Sequence, residues 1–220
     1  KEIIKSSAIE MVIVGPEIPL IDGVYDFIKA DSEINHVSVI GPSQNGAQLE
    51  GSKKFAKDFM SRNNIPTASS KTFTKDTFLD ACDFLKKSTA PYVLKADGLA
   101  AGKGVVILEN VEDAIAELKS MLIDSKFGES SKKVVIEEFL KGIEMSCFVI
   151  FDGKNYITLP YAKDYKRIGE GDVGLNTGGM GSISPVSFID EGLDHKIHEK
   201  VIKPTINGII KEKINYRGFI

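Results

Sequence analysis

The stretch from Val93 to Val106, V-L-K-A-D-G-L-A-A-G-K-G-V-V, constrains the fold of this 220-residue chain more than any other. An apolar run ends in Lys95, a small-residue loop carries Gly98, Gly102 and Gly104, and Lys103 leads toward a second apolar run. Val105 to Leu108 is rich in β-branched residues and has no helical period, so the loop joins strand to strand. Glycine permits positive φ and leaves backbone N–H groups bare, which lets such a loop approach an anion closely. Two lysines supply compensating charge. A Walker A loop needs G-x-x-x-x-G-K followed by Ser or Thr; here one residue is missing between the glycines and Gly104 follows the lysine. A flap over phosphates and a plain glycine hairpin are both open on this stretch alone. Lys95, on a strand beside the loop, would be costly to bury without a partner, which favours the phosphate.

The rest of the chain alternates strand and helix, an α/β (α+β) pattern. Met11 to Val14 and Val37 to Ile40 read as buried strands, and Leu20 to Ala30 between them as one helix. Gly15-Pro16-Glu17 follows the first strand, at the carboxyl edge where open α/β units place ligands. Helices are expected over Ser52 to Asn63, Lys75 to Lys87 with Phe78, Leu79, Cys82 and Leu85 inward, Val111 to Ile123, and Glu191 to Lys211. Strands are expected over Val134 to Ile136 and Met145 to Ile150. Six glycines in the thirteen residues from Gly169 to Gly181 predict an irregular loop.

A net charge of -3 gives no electrostatic reason to expect nucleic acid or a membrane surface. Two cysteines, Cys82 and Cys147, fit a reducing compartment and read as core residues. No apolar run approaches the ~20 residues of a membrane helix, and the first residues lack a signal-peptide core. The chain reads as cytoplasmic. It has no initiator Met and stops on a strand-like Phe219-Ile220, so it also reads as a piece of a longer protein.

Three further clusters carry chemistry. In Gly51-Ser52-Lys53, a lysine at a helix start could join an anion held by the helix N–H groups. In Glu137-Glu138-Phe139-Leu140-Lys141-Gly142-Ile143-Glu144, carboxylates beside an apolar linker suit a purine nucleoside, or form an acidic solvated turn. Asp164-Tyr165-Lys166-Arg167, with Asp172, Asn176 and Thr177, suits a small substrate bearing carboxylate or phosphate. His195 and His198 lie three apart on a helix, but no third metal ligand is evident. His36 reads as a surface residue, and Lys53, Lys54 and Lys57 as a solvated helix face with Lys53 the exception.

The order of G-S-K from Gly51, K-A-D-G-L-A-A-G-K-G from Lys95, E-E-F-L-x-G-x-E from Glu137 and N-T-G-G-M-G from Asn176 resembles the ATP-grasp ligases. Within them it is most similar to the phosphoribosylamine-glycine ligase family of purine biosynthesis, on A-Q-L-E-G-S-K, A-K-D-F-M and D-Y-K-R besides, and the resemblance spans essentially the whole chain. It implies an ATP-grasp fold. Residues 1–70 would be the C-terminal part of an open α/β domain with a linker helix, 71–139 the small ATP-grasp subdomain with the flap, and 140–220 the first part of the large one.

The resemblance also implies roles. Lys53, Lys95, Gly98, Gly102, Lys103 and Gly104 would hold ATP phosphates; Glu137 and the backbone at Glu138 and Leu140 would form the adenine pocket; Glu144 would take the ribose. Pro16, Glu17, Asp164, Lys166, Arg167, Asp172, Asn176, Gly178, Gly179, Met180 and Gly181 would serve glycine and 5-phosphoribosylamine, with Lys95, Arg167 and Asn176 catalytic. ATP would phosphorylate the glycine carboxylate, and the amine would displace phosphate. Mg2+ or Mn2+ would be bound by a Glu and an Asn beyond Ile220, so no metal ligand is expected in this chain, which alone would be inactive. A monomer is expected, binding neither nucleic acid nor membrane. Tyr165 and Leu175 depart from the His and Pro common there, putting an imidazole role in doubt. A related ATP-grasp carboxylate-amine ligase or carboxylase, and a nucleotide-binding module without ligase activity, are the alternatives.

Overall fold

Short apolar runs ending in glycine build the start of the chain. In the computed structural model, which describes residues 1–100, 104–171 and 173–220 with backbone alone at 175 and 176, helix α1 (Glu2–Ser6) leads into β1 (Met11–Ile13). Strand β1 pairs in parallel with β2 (Ser38–Ile40), Met11 opposite Ser38. Parallel neighbours need a crossover, and here it is helical: α2 (Glu17–Ile21), then α3 (Val24–Ala30). The single helix expected over Leu20 to Ala30 is therefore two. Gly23 takes φ +87°, outside the helical region, and starts α3 afresh. Tyr25 and Ile28 of α3 bury against Ile34, Val37 and Val39. Helix α4 (Gln48–Gly51) closes this part.

The chain then builds a second unit, Ser52–Ser61 with Pro66–Ile143, before returning to the first, which comprises Lys1–Gly51, Arg62–Ile65 and Glu144–Ile220. Helix α5 (Lys53–Arg62) is followed by β3 (Ser70–Thr74), α6 (Phe78–Lys87), β4 (Tyr92–Ala96), β5 (Val105–Leu108), α7 (Val111–Leu122) and β6 (Lys133–Glu137). The sheet order is β3-β6-β4-β5, antiparallel throughout. Strand alternation sends Phe73, Leu94, Ala96, Val134 and Ile136 to one face, where they pack on Ala81, Cys82 and Leu85 of α6 and Ala114, Leu118 and Met121 of α7. Helix α7 starts where Asn110 accepts the Asp113 N–H at 2.8 Å, an N-cap. Leu79, expected inward, is 77% exposed, because at about 100° per residue it falls outside the face that Phe78, Ala81, Cys82 and Leu85 share. The opposite face of the sheet presents Val93, Lys95, Val135 and Glu137.

Back in the first unit, β7 (Val149–Phe151) pairs with β8 (Tyr156–Thr158) and, on its other side, with β11 (Gly218–Phe219). The strand expected over Met145 to Ile150 is thus later and shorter, with only an isolated bridge from Ser146 to Ala162 before it. A larger correction concerns Gly169 to Gly181. Strand β9 (Lys163–Gly169) pairs antiparallel with β10 (Val173–Ile183), so most of the expected loop is strand. Its register slips between Val173 and Asn176 and again between Asn176 and Gly181, and glycine accommodates such bulges without side-chain conflict. The last helical stretch is α8 (Glu191–Ile197), a π turn over His198–Ile202, then α9 (Lys203–Lys211), which buries Ile206 and Ile209.

Candidate functional site

In the second unit the register of β4 on β6 sets Val93 opposite Glu137 and Lys95 opposite Val135. Lys95 and Glu137 are therefore diagonal neighbours on the face away from the helices. Lys95 Nζ lies 2.9 Å from Glu137 Oε2, and Lys57 Nζ of α5 lies 3.4 Å from Oε1. The Glu137 side chain is only 6% exposed, against 28% for Lys95 and 15% for Lys57. This corrects two expectations. Lys95 is not an uncompensated charge awaiting phosphate, since a buried carboxylate faces it. Lys57 is not part of a solvated face, since its ammonium also donates to Thr67 Oγ1 at 2.8 Å and to Ala68 O at 2.9 Å.

The start of α5 is corrected likewise. Its first four N–H groups have internal acceptors: Lys53 donates to Asp97 O at 3.1 Å, Lys54 to Asp97 Oδ1 at 2.7 Å, Phe55 to Ser52 Oγ at 3.1 Å and Ala56 to Ser52 O at 2.9 Å. Ser52 Oγ also donates to the Asp97 carboxylate. The anion at this helix start is Asp97 itself, which offsets the positive end of the helix. What Lys53 contributes is its side chain, whose Nζ donates to Gly98 O at 3.3 Å. The missed signal was local: an Asp just after Lys95, and a Ser where the helix begins.

Gly98 serves by smallness rather than by positive φ, a further correction, and Gly104 is closely packed as well. A Cβ on Gly98 would meet Ser130 Oγ at 2.8 Å and Ser130 Cα at 3.1 Å; one on Gly104 would meet Ala100 Cβ at 2.7 Å. Gly98 N–H donates to Ser130 O and Ser130 Oγ to Leu99 O, so this limb of the loop is tied down on both sides. Gly98→Ala should cost about 1–3 kcal/mol by overpacking, with Ser130→Gly in the same chain recovering part of it. Equal denaturation midpoints for wild type and Gly98→Ala would contradict the contact.

At the end of β6, Glu138 N–H donates to Ser69 O at 3.0 Å and its carboxylate accepts the Ser69 hydroxyl at 2.6 Å. The Ser69 hydroxyl, and after it the Ser69 backbone, hold the exposed Glu138 carboxyl below the usual carboxylate range. Leu140 is 63% exposed on the linker that follows. Lys53, Lys95, Gly98, Gly104, Glu137, Glu138 and Leu140 thus all belong to this unit.

The other candidates lie in the first unit. Lys166 of β9 sits 2.8 Å from Glu144 and 3.3 Å from Asp164, and the Glu144 hydrogen bond raises its pKa above the usual lysine value. Arg167 stands opposite Asn176 and Tyr165 opposite Gly181. Thr177 Oγ1 donates to Lys166 O and accepts the Gly179 N–H, folding the Gly178-Gly179-Met180 backbone over β9. Lys163 Nζ lies 3.7 Å over the Tyr165 ring. Glu144, Asp164, Lys166 and Arg167 are brought together here, with Gly178 to Gly181 on the facing strand. Pro16 and Glu17 are elsewhere in the unit: Pro16 precedes α2, and Glu17 lines a cavity of about 650 Å³ with Gly15, Gly41, Glu50 and Tyr216. Burial, and after it the Glu50 carboxylate, push the Tyr216 phenol up to about 12. Gly102, Lys103, Asp172 and the Asn176 side chain lie outside the described residues.

Among the described residues, no group of three or more His, Cys, Asp or Glu is placed to hold a metal ion, and no helix is long and apolar enough to cross a membrane. Both cysteines are free, Cys82 buried and Cys147 half-buried.

Comparison with known proteins agrees along the whole chain. Residues 51–220 match the family described as phosphoribosylglycinamide synthetase, ATP-grasp (A) domain, and residues 1–50 match its N domain. Phosphoribosylamine-glycine ligase of Pasteurella multocida is 45% identical over 98% of this chain and 49% of its own length; that of Listeria monocytogenes is 44% identical over 98% and 50%. The crystal structure of the Thermotoga maritima phosphoribosylamine-glycine ligase superposes with a TM-score of 0.75 at 43% identity, over 83% of this chain and 46% of that one. A biotin carboxylase from Campylobacter jejuni, at 20% identity and TM-score 0.74, shares the fold alone, over 98% of this chain and 45% of its own. The chain spans about half the length of the curated relatives it matches.

Proposed function

This chain belongs to the phosphoribosylglycinamide synthetase family and has the ATP-grasp fold, and we propose on that premise that the full-length protein ligates glycine to 5-phosphoribosylamine at the expense of ATP. The observation that carries the reading is Lys95: a strand-borne ammonium at the root of a glycine loop, in a chain that matches such ligases over 98% of its length. A carboxylate is a poor electrophile. Transfer of the γ-phosphoryl group to the glycine carboxylate gives an acyl phosphate and ADP; attack by the amine of phosphoribosylamine then forms the amide bond and expels phosphate.

In this reading the protein works by positioning and by neutralising phosphoryl charge. Lys53 and Lys95 face the ATP phosphates, with Gly98 and Gly104 letting the loop backbone come close and Gly102 and Lys103 completing it. Because Glu138 N–H is taken by Ser69 O, the linker would read adenine through the Glu138 carbonyl and the Leu140 amide. Glu144 would take the ribose by exchanging its Lys166 partner for hydroxyls. Asp164, Lys166, Arg167 and the Asn176 to Gly181 backbone would bind the glycine and phosphoribosylamine groups, with Pro16 and Glu17 as further contacts. The three segments 1–70, 71–139 and 140–220 are the corresponding domain, small-lobe and large-lobe parts. Mg2+ or Mn2+ would neutralise phosphoryl charge in the full-length enzyme, and no ligand for it is assigned to residues of this chain. A monomer in the cytoplasm accompanies this reading.

The test is ADP release by the full-length protein. Turnover should require glycine and phosphoribosylamine together. Equal turnover with D-alanine or bicarbonate in place of glycine would overturn the substrate assignment.

A further inference from the structure

We infer that Lys57 is a positioning residue that couples the phosphate lysine to the adenine-reading linker. The inference rests on the nucleotide reading of this unit. Lys57 makes three contacts, one leading toward Lys95 and two toward the linker. Its ammonium lies 3.4 Å from Glu137 Oε1, while Lys95 meets the other carboxylate oxygen at 2.9 Å. It donates to Thr67 Oγ1 and Ala68 O. The next residue, Ser69, grips Glu138 through both its carbonyl and its hydroxyl.

The charge arrangement gives Lys57 its effect on Lys95. A carboxylate 6% exposed needs compensation, and with one lysine it would form a neutral pair that holds Lys95 back. With two it leaves the cluster at net +1, so Lys95 can turn to a phosphate while Glu137 stays paired through Lys57. The tether gives Lys57 its effect on the linker. By fixing residues 67 and 68 it fixes the Ser69 acceptor that orients Glu138. Lys57 itself does not touch the nucleotide in this account, because its donors are committed to Thr67, Ala68 and Glu137.

The test uses the full-length enzyme and two readouts, the KM for ATP and the ratio of kcat/KM for ATP to that for GTP. Lys57→Met is expected to raise KM for ATP about tenfold, the scale of one charge-assisted hydrogen bond, to change kcat by less than about threefold, and to lower the ATP-to-GTP ratio about tenfold. Lys57→Arg should recover most of both. A merely structural lysine would lower thermal stability and leave the base-selectivity ratio of the folded enzyme unmoved, which would overturn the inference. Should Lys57→Met not accumulate, Thr67→Val decides: a lower ATP-to-GTP ratio supports the coupling and an unchanged ratio refutes it. Lys95→Met separates the two levels. If it leaves KM for ATP unchanged, the nucleotide reading falls and the inference with it; if it weakens ATP while Lys57→Met does not, only the inference falls.

Discussion

Lys95→Met in the full-length protein is expected to lower kcat/KM for ATP at least about a hundredfold, whereas Lys54→Ala should leave it within about twofold. Hydrogen bonds to charged groups contribute about 1.5–3 kcal/mol, and a hundredfold corresponds to about 2.7 kcal/mol. Lys54 differs in place rather than in charge: its ammonium pairs with Asp58 on the outer side of α5, 2.5 Å away, in an exposed contact of little consequence. Lys95→Met also removes one of the two cations beside Glu137, so stability and catalysis both respond. Breaking a buried pair by removing one partner costs about 3–5 kcal/mol when nothing else compensates. Here Lys57 remains, so the loss should be smaller. The double variant Lys95→Met with Glu137→Gln separates the two effects: it should recover stability without recovering ATP use. Steady-state kinetics beside thermal denaturation read both, and matching ATP kinetics in Lys95→Met and Lys54→Ala would refute the assignment.

Asp97→Ala should have the largest effect on folding. One carboxylate accepts the Ser52 hydroxyl and the Lys54 N–H, and its residue's carbonyl accepts the Lys53 N–H, joining the loop root to the start of α5. Loss of a helix cap costs about 1 kcal/mol, and loss of an ionised acceptor about 1.5–3 kcal/mol more, so about 2.5–4 kcal/mol in total. Asp97→Asn keeps an oxygen acceptor for Lys54 N–H and should lose about half as much. Hydrogen exchange at the Lys54 and Phe55 amides would report the change locally. Unchanged protection at both in Asp97→Ala would show that the carboxylate does not hold the helix start.

The strands on either side of the glycine loop were legible because alternation and β-branching are local signals, and α7 because Glu112 and Asp113 in its first turn open an apolar period. The break at Gly23 was a single-residue event inside a good helical pattern. The β9–β10 hairpin was hidden for the opposite reason: glycine weakens every strand signal, so a bulged strand reads as a loop. Lys57 was misjudged because its partnership with Glu137 depends on sheet order. Only when β6 inserts between β3 and β4 does residue 137 come beside residue 95, and no spacing along the chain announces that. Gly98 was found for the wrong reason, since close packing and positive φ leave the same letter in the sequence.

The two units differ in how they are spread along the polypeptide. The second is complete once β6 has been made, its four strands all lying between Ser70 and Glu137. The first is interrupted, and its early part closes against residues at the far end: Gly41 N–H donates to Arg217 O, and Ser43 N–H to Asn215 O. At about 5–20 residues per second, a ribosome finishes those acceptors on the order of ten seconds after Glu137. During that interval the parallel β1–β2 pair has no partner for its following loop. The inserted unit is therefore free to form first, and vectorial synthesis makes the sheet that carries Lys95 the earlier of the two to mature.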